Sequence, residues 1–143
     1  MPAEPGRGDL EAILGLRIRR AHGAVQRHFA QHFGALGLTQ KQISVLWLAD
    51  AHPDIAQIDI ARMLDMDRAT TMALVHALEQ RSLLARTRSE SDRRRIAFRL
   101  TEEGARLLAQ AKTAIAANEA WLADRFSMAE RSQLRDLLER IYR

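Results

Sequence analysis

Apolar residues recur along this chain at changing periods, and each change marks a new element. Between residues 9 and 36, Leu10, Ile13, Leu14, Ile18, Ala21, Val25, Phe29 and Phe33 follow three- and four-residue steps, with Arg19, Arg20, Gln26 and Arg27 opposite. This spacing predicts a long amphipathic helix, capped by Asp9 and broken by Gly34 and Gly37. Thr39-Gln40-Lys41-Gln42 is a capping box, so a second helix opens there. Ile43, Leu46, Trp47 and Ala49 are its stripe, and His52-Pro53 ends it. A short third helix is expected over 57–64, with Asp65-Met66 as the turn. Asp67 caps a fourth, 68–81, with Leu74, Val75 and Leu78 facing inward.

The helical period then stops. Two short apolar runs, Leu83-Leu84-Ala85 and Ile96-Ala97-Phe98, flank a polar, serine-bearing centre. Apolar arms around a polar tip predict a β-hairpin over 83–88 and 95–100. Thr101 caps a fifth helix that runs past Trp121, with Glu102 and Glu103 at its positive end. Ser127-Met128-Ala129-Glu130 is a second capping box and opens a last helix. The expected order is α-α-α-α-β-β-α-α, a mainly α chain with one small β element.

Composition narrows the class. At 143 residues with 47% apolar and 28% charged residues, the chain suits one compact soluble unit. No apolar run nears the ~20 residues of a membrane span. There is no cysteine, hence no disulfide framework or thiolate metal site. Met1 to Gly8 is rich in Pro and Gly and reads as a tail, not a signal peptide, so the cytoplasm is expected.

Charge is concentrated. Residues 86–99 hold six arginines against Glu90 and Asp92, a local net of +4, equal to the net charge of the whole chain. An arginine-tipped hairpin after two short helices joined by a tight turn suits a winged helix-turn-helix that grips a phosphate backbone. In that arrangement the second helix of the pair places its first residues against base edges in the major groove. Arg68 can meet phosphate or guanine, and Thr70 and Thr71 a base edge or a thymine methyl. Met72 completes the outward group. The hairpin reaches the adjacent minor groove, where arginine is favoured. Arg86, Arg88, Arg93, Arg94 and Arg95 are its candidate contacts. Asp92 and Arg94 also suit a local ion pair that shapes the turn, and the two roles are compatible.

The chain resembles the MarR family of bacterial winged-helix regulators. The resemblance rests on Ile60-Ala61-Arg62-Met63-Leu64, Asp67-Arg68-Ala69-Thr70-Thr71, Leu74-Val75, Leu78-Glu79, Asp92-Arg93-Arg94 and Leu100-Thr101-Glu102-Glu103-Gly104, and covers most of residues 10–142. It implies a homodimer joined by the first, fifth and sixth helices, with residues 9–36 and 101–142 as dimerisation region and 39–100 as DNA-binding lobe. It also implies a pseudo-palindromic double-stranded DNA operator, usually repressed, and release when a small anionic, often aromatic ligand binds between dimer helices and lobe. Arg94 would then enter the minor groove while Asp92 orients the wing. Three positions depart from the family pattern. Ala56 stands where a Ser or Thr commonly caps the third helix, Asp65 replaces a turn glycine, and Ala73 replaces a recognition-helix arginine.

Other groups have weaker claims. Arg17, Arg19 and Arg20 suit a carboxylate or phosphate ligand, and equally pairing with Glu119, Asp124 or Asp136 across a dimer. Arg17, Arg20, Phe29 and Trp47 are the candidate ligand pocket for an aromatic or acyl anion, possible chemistries being a carboxylate and a CoA thioester; core is the default for Trp47, Phe29 and Phe33. His28 and His32 have a metal-compatible spacing, but packing is the expectation, with no metal and no cofactor. No His-Glu-x-x-His, Gly-rich phosphate loop or Gly-x-Ser-x-Gly is present, so an enzyme is not expected. A winged-helix adaptor that binds protein instead of DNA is the alternative.

Overall fold

The computed structural model describes residues 6–89 and 92–143; Met1 to Pro5 of the expected tail, and Glu90 and Ser91 of the hairpin, lie outside the described residues. The described residues form six α-helices and a small sheet: α1 (Leu14–Phe33), α2 (Gln40–Ala51), β1 (Ile55–Ala56), α3 (Gln57–Met63), α4 (Arg68–Gln80), β2 (Leu84–Arg88), β3 (Ile96–Leu100), α5 (Glu102–Ala123) and α6 (Met128–Tyr142). No helix of the described residues is long and apolar enough to cross a membrane.

Local chemistry sets the helix starts. The Thr39 hydroxyl accepts from the Gln42 N–H while the Gln42 side chain accepts from the Thr39 N–H, and Ser127 and Glu130 repeat the exchange. Asp67 accepts from the Thr70 N–H, and Thr101 from the Gly104 N–H. Asp65 is left-handed, with φ of 50°, a conformation that Asp tolerates at such a turn. Ala56 caps α3 without a side-chain bond, as its methyl dictates.

Two expectations are corrected. Asp9 caps no long helix: Gly8–Ala12 form a separate 3₁₀ turn, and α1 starts at Leu14 behind the extended Ile13. The sheet has three strands, not two. β1 pairs antiparallel with β3, Ile55 opposite Phe98 and Ala56 opposite Ala97, giving the order β1-β3-β2. Asp54, left-handed at φ 62°, turns the chain into β1, and Arg99 clasps its carboxylate.

The core lies where α1, α2, α4 and α5 meet the sheet. Phe33, Val45, Leu46, Ile60, Val75, Leu78 and Phe98 are fully buried there, and Phe29 stacks on Phe33 at 3.7 Å between ring centres. Gly104 lets α5 touch the hairpin base, since a Cβ there would collide with the Leu83 carbonyl oxygen and come within 2.8 Å of Leu100 Cδ1. The α1–α5 seam is closed by His28. Its Nδ1 lies 2.6 Å from Asn118 Oδ1, and its ring stacks on Trp121 at 4.2 Å, while the Arg125 guanidinium covers that indole at 4.0 Å. His32 Nδ1 meets the His28 carbonyl, and no group of three or more metal-ligating side chains occurs among the described residues.

Two stretches are conspicuously apolar on their exposed side. Leu10, Ile13, Leu14 and Ile18 at the start of the chain and Leu134, Leu137, Leu138 and Ile141 on α6 are all at least 39% exposed. Single exposed apolar residues are ordinary, but four in the first turns of the chain and four on α6 are groups that water disfavours.

Candidate nucleic-acid interface and ligand cavity

Helix α4 presents a polar, basic N-terminal end because Asp67 caps it and its apolar stripe faces the core. Arg68, Ala69, Met72, Ala73 and His76 are exposed, and Thr70 is half-buried with its hydroxyl bonded to Asp67 Oδ2 at 2.8 Å. Thr71 is different. It was expected on the outer face but is fully buried, its hydroxyl donating to the Asp67 carbonyl at 2.8 Å. Residues 71, 75 and 78 form the inward stripe, so the helical phase turns Thr71 away from any base edge.

The hairpin tip is fixed by Asp92. Its Oδ1 accepts the Arg94 backbone N–H at 3.0 Å and the Arg94 Nε–H at 3.2 Å, and Arg95 Nε lies 3.8 Å from Oδ2. These bonds, the backbone N–H of Arg94 first, hold the Asp92 carboxyl below its ordinary range, so it stays ionised. Bonding through Nε leaves the Arg94 terminal nitrogens outward, and the side chain is 90% exposed. Arg88 and Arg93 are exposed as well. Arg86 is held elsewhere: its Nη2 binds Glu79 of α4 at 3.0 Å, and its guanidinium lies over the Phe98 ring at 5.8 Å.

Between α3, the start of α4 and the hairpin runs a groove of about 540 Å³. Arg62, Arg68, Arg94 and Arg95 line it, together with Ile58 and Ile96. Arg62 is not among the contacts expected from the sequence, although it lies in the last turn of α3, two residues before the α3–α4 connection. Four guanidinium groups around one open groove make a site for an anionic polymer.

The four expected pocket residues do not converge. Phe29 lines a cavity of about 660 Å³ between α1, α2 and α4, walled by Phe33, Leu38 and Leu74 and rimmed by Gln26, Gln40 and Lys41. Gln26 Nε2 donates to Gln40 Oε1 at 2.8 Å across that rim. Arg17 and Arg20 line a separate depression on the N-terminal half of α1 and both face Glu11 at 3.8 Å. Trp47 lines neither. It is 40% exposed, with Lys112 Nζ 4.7 Å from its ring centre. Helix α2 buries Val45 rather than Trp47, because Leu46 and Ala49 set the phase of its inner face.

A sequence profile of the MarR family matches residues 38–96. The chain is 32% identical over 142 residues to a putative transcriptional regulatory protein for the hcr operon of Thauera aromatica, covering 99% of this chain and 86% of the relative. It belongs to the MarR family. Among solved structures, the transcriptional repressor CouR bound to a 23-mer DNA duplex is 37% identical, with a TM-score of 0.90 over 99% of this chain and all of the other. CouR from Rhodococcus jostii RHA1 bound to p-coumaroyl-CoA is 31% identical, with a TM-score of 0.82 over 92% of this chain and 93% of that one. The mainly helical winged-helix architecture is therefore that of MarR regulators, and this chain is a MarR-family transcriptional regulator.

Proposed function

We propose that this protein is a dimeric cytoplasmic repressor that binds a pseudo-palindromic operator and releases it when an anionic acyl or aromatic ligand occupies the α1–α2–α4 cavity. The carrying observation is the groove in which Arg62 and Arg68 face Arg94 and Arg95. Helix α4 enters the major groove with Arg68, Thr70 and Met72 leading, and the wing places Arg94 in the adjacent minor groove. Arg88, Arg93 and Arg95 neutralise phosphates. Thr71 supports the lobe from inside, and Arg86 ties the hairpin to α4 at the surface through Glu79.

Residues 39–100 serve as the DNA-binding lobe, and residues 9–36 and 101–142 as the dimerisation region. The exposed apolar residues of the first turns and α6 support that division, since a second copy would cover them. The ligand cavity supports the release step. Its walls come from α1 and, through Leu74, from the recognition helix itself. A ligand that fits only one position of α4 against α1 shifts the dimer toward that position. The p-coumaroyl-CoA seated in CouR favours a thioester as ligand class here.

The test is a gel shift of the protein on its own upstream DNA against a scrambled duplex of equal length. Preference for the upstream sequence, released by an acyl-CoA thioester, supports the reading. Equal binding to both duplexes overturns operator recognition.

A further inference from the structure

Helix α4 turns one face outward, and the middle of that face is chemically unlike the arginines around it. Arg68, Ala69, Met72, Ala73 and His76 are exposed, Met72 at 53%. Ala69 is three residues from Met72 and four from Ala73, so the three side chains adjoin. Hydrogen-bonding groups are scarce among them. The Thr70 hydroxyl gives its hydrogen to Asp67 Oδ2 at 2.8 Å. The buried Thr71 hydroxyl gives its own to the Asp67 carbonyl, also at 2.8 Å. Arg68 in the first turn and His76 two turns later bracket the apolar patch, and neither has a hydrogen-bond or ion-pair partner among the described residues.

The setting of the patch says what covers it. Arg68 lies at its edge and also lines the groove with Arg62, Arg94 and Arg95, so the partner at hand is a polyanion. From Ala69 to Ala73 the helix rises about 6 Å, which matches about two base steps of about 3.4 Å. In the major groove guanine offers two acceptors, cytosine a donor and adenine one of each, whereas thymine adds an apolar C5-methyl to its O4. Alanine and methionine side chains cannot replace the hydrogen bonds that water makes to a guanine or cytosine edge, and leaving those groups dry is costly. Against a thymine methyl the same side chains gain buried apolar area. Methionine, unbranched and polarisable, can adjust its reach where alanine cannot.

We propose that the Ala69–Met72–Ala73 patch reads thymine methyl groups, so that each operator half-site carries thymines in adjacent pairs under the middle of α4. Hydrogen bonds to base edges then fall to Arg68 and His76 on either side. This rests on the operator-binding reading and adds the base chemistry that reading leaves open.

The protein's own upstream DNA, made once with thymine and once with uracil throughout, tests it, because the two duplexes differ in the C5-methyl alone. Scrambled duplexes in both forms measure any general effect of uracil. Each covered methyl that is removed should weaken binding about fourfold. Wild type should therefore bind the uracil form of the upstream duplex about tenfold or more weakly, and the two scrambled forms alike. Met72→Gln keeps the side-chain length and adds polar atoms. Its thymine-to-uracil affinity ratio should fall by about fourfold, with circular dichroism and oligomeric state those of the wild type. The proposal is overturned if wild type binds both upstream forms equally, if the scrambled pair shows the same loss, or if the variant keeps the wild-type ratio. Upstream DNA preferred over scrambled to the same degree in both forms leaves the repressor and removes the methyl reading. Upstream and scrambled duplexes bound alike remove operator recognition itself, and the apolar patch then belongs to a protein partner.

Discussion

A single oxygen of Asp92 accepts both the backbone N–H and the Nε–H of Arg94, at 3.0 and 3.2 Å. The arginine is thus aimed by the residue two positions before it while its terminal nitrogens stay open. Replacing Arg94 by Ala should weaken operator binding and reduce the slope of log affinity against log salt by about one. The fold and the oligomeric state should not change. Titrations at several salt concentrations check this, and an unchanged slope removes Arg94 from the DNA.

Thr71 and Met72 are adjacent in sequence and opposite in exposure, fully buried against 53% exposed. Thr71→Val should leave operator affinity and sequence preference unchanged, and alter stability by no more than about 1 kcal/mol for the one lost hydrogen bond. Met72→Ala should change affinity for the operator with no loss of stability. Competition gel shifts with single-base operator variants distinguish the two residues.

Acid should loosen the recognition helix. The Asp67 carboxyl is held below its ordinary value, chiefly by the Thr70 N–H and then by the Thr70 hydroxyl. A carboxyl depressed in the folded state stabilises at pH above its ordinary value of 3.8, and that contribution is lost as pH falls through its folded value. Asp92, bonded by Arg94, and Asp54, bonded first by Arg99, act in the same direction. Asp67→Asn keeps a good cap but removes the titration. The variant should melt close to wild type at neutral pH and show a smaller fall in Tm on acidification below about pH 4. Parallel curves for both proteins exclude the Asp67 contribution.

Helix α5 is seated on the hairpin through Gly104, where a Cβ would meet the Leu83 carbonyl. That neighbour is backbone and cannot step aside as a side-chain tip does. Gly104→Ala should cost about 3 kcal/mol through overpacking. Urea unfolding gives the number, and a midpoint equal to wild type contradicts the close approach.

Leu137 is 45% exposed on α6 in the single chain. Leu137→Glu should cost an isolated chain little, yet weaken self-association by at least about tenfold, since a charge would enter an apolar interface. Analytical ultracentrifugation over a dilution series reads this, and Tm should become more concentration-dependent. A variant that associates like wild type moves the interface elsewhere.

What the sequence revealed was local. The boxes at Thr39 and Ser127, the Asp67 and Thr101 caps and the His52 stop depend on groups within four residues of one another, and all stand in the structure. The hairpin was legible for the same reason. The two-residue β1 was not, because a strand that short has no period, and its place follows from the left-handed Asp54 and from Phe98 and Ala97 far along the chain. Thr71 was misplaced by a shift of one residue in helical phase, which its 71-75-78 stripe corrects. Arg86 pairs with Glu79, a partner on another element that spacing does not disclose. Arg17, Arg20, Phe29 and Trp47, the residues expected to hold a ligand, sit on different faces of two helices, and only the packing of α1 against α2 and α4 shows which surfaces are hollow.

The stack of His28, Trp121 and Arg125 gives the molecule an internal optical gauge. One of its two indoles is held between an imidazole on α1 and a guanidinium at the end of α5, and the other lies in the open beside Lys112. Any sliding of α1 along α5 changes the quenching of the first indole and leaves the second as an internal standard. Intrinsic emission therefore follows that movement in unlabelled protein, in real time.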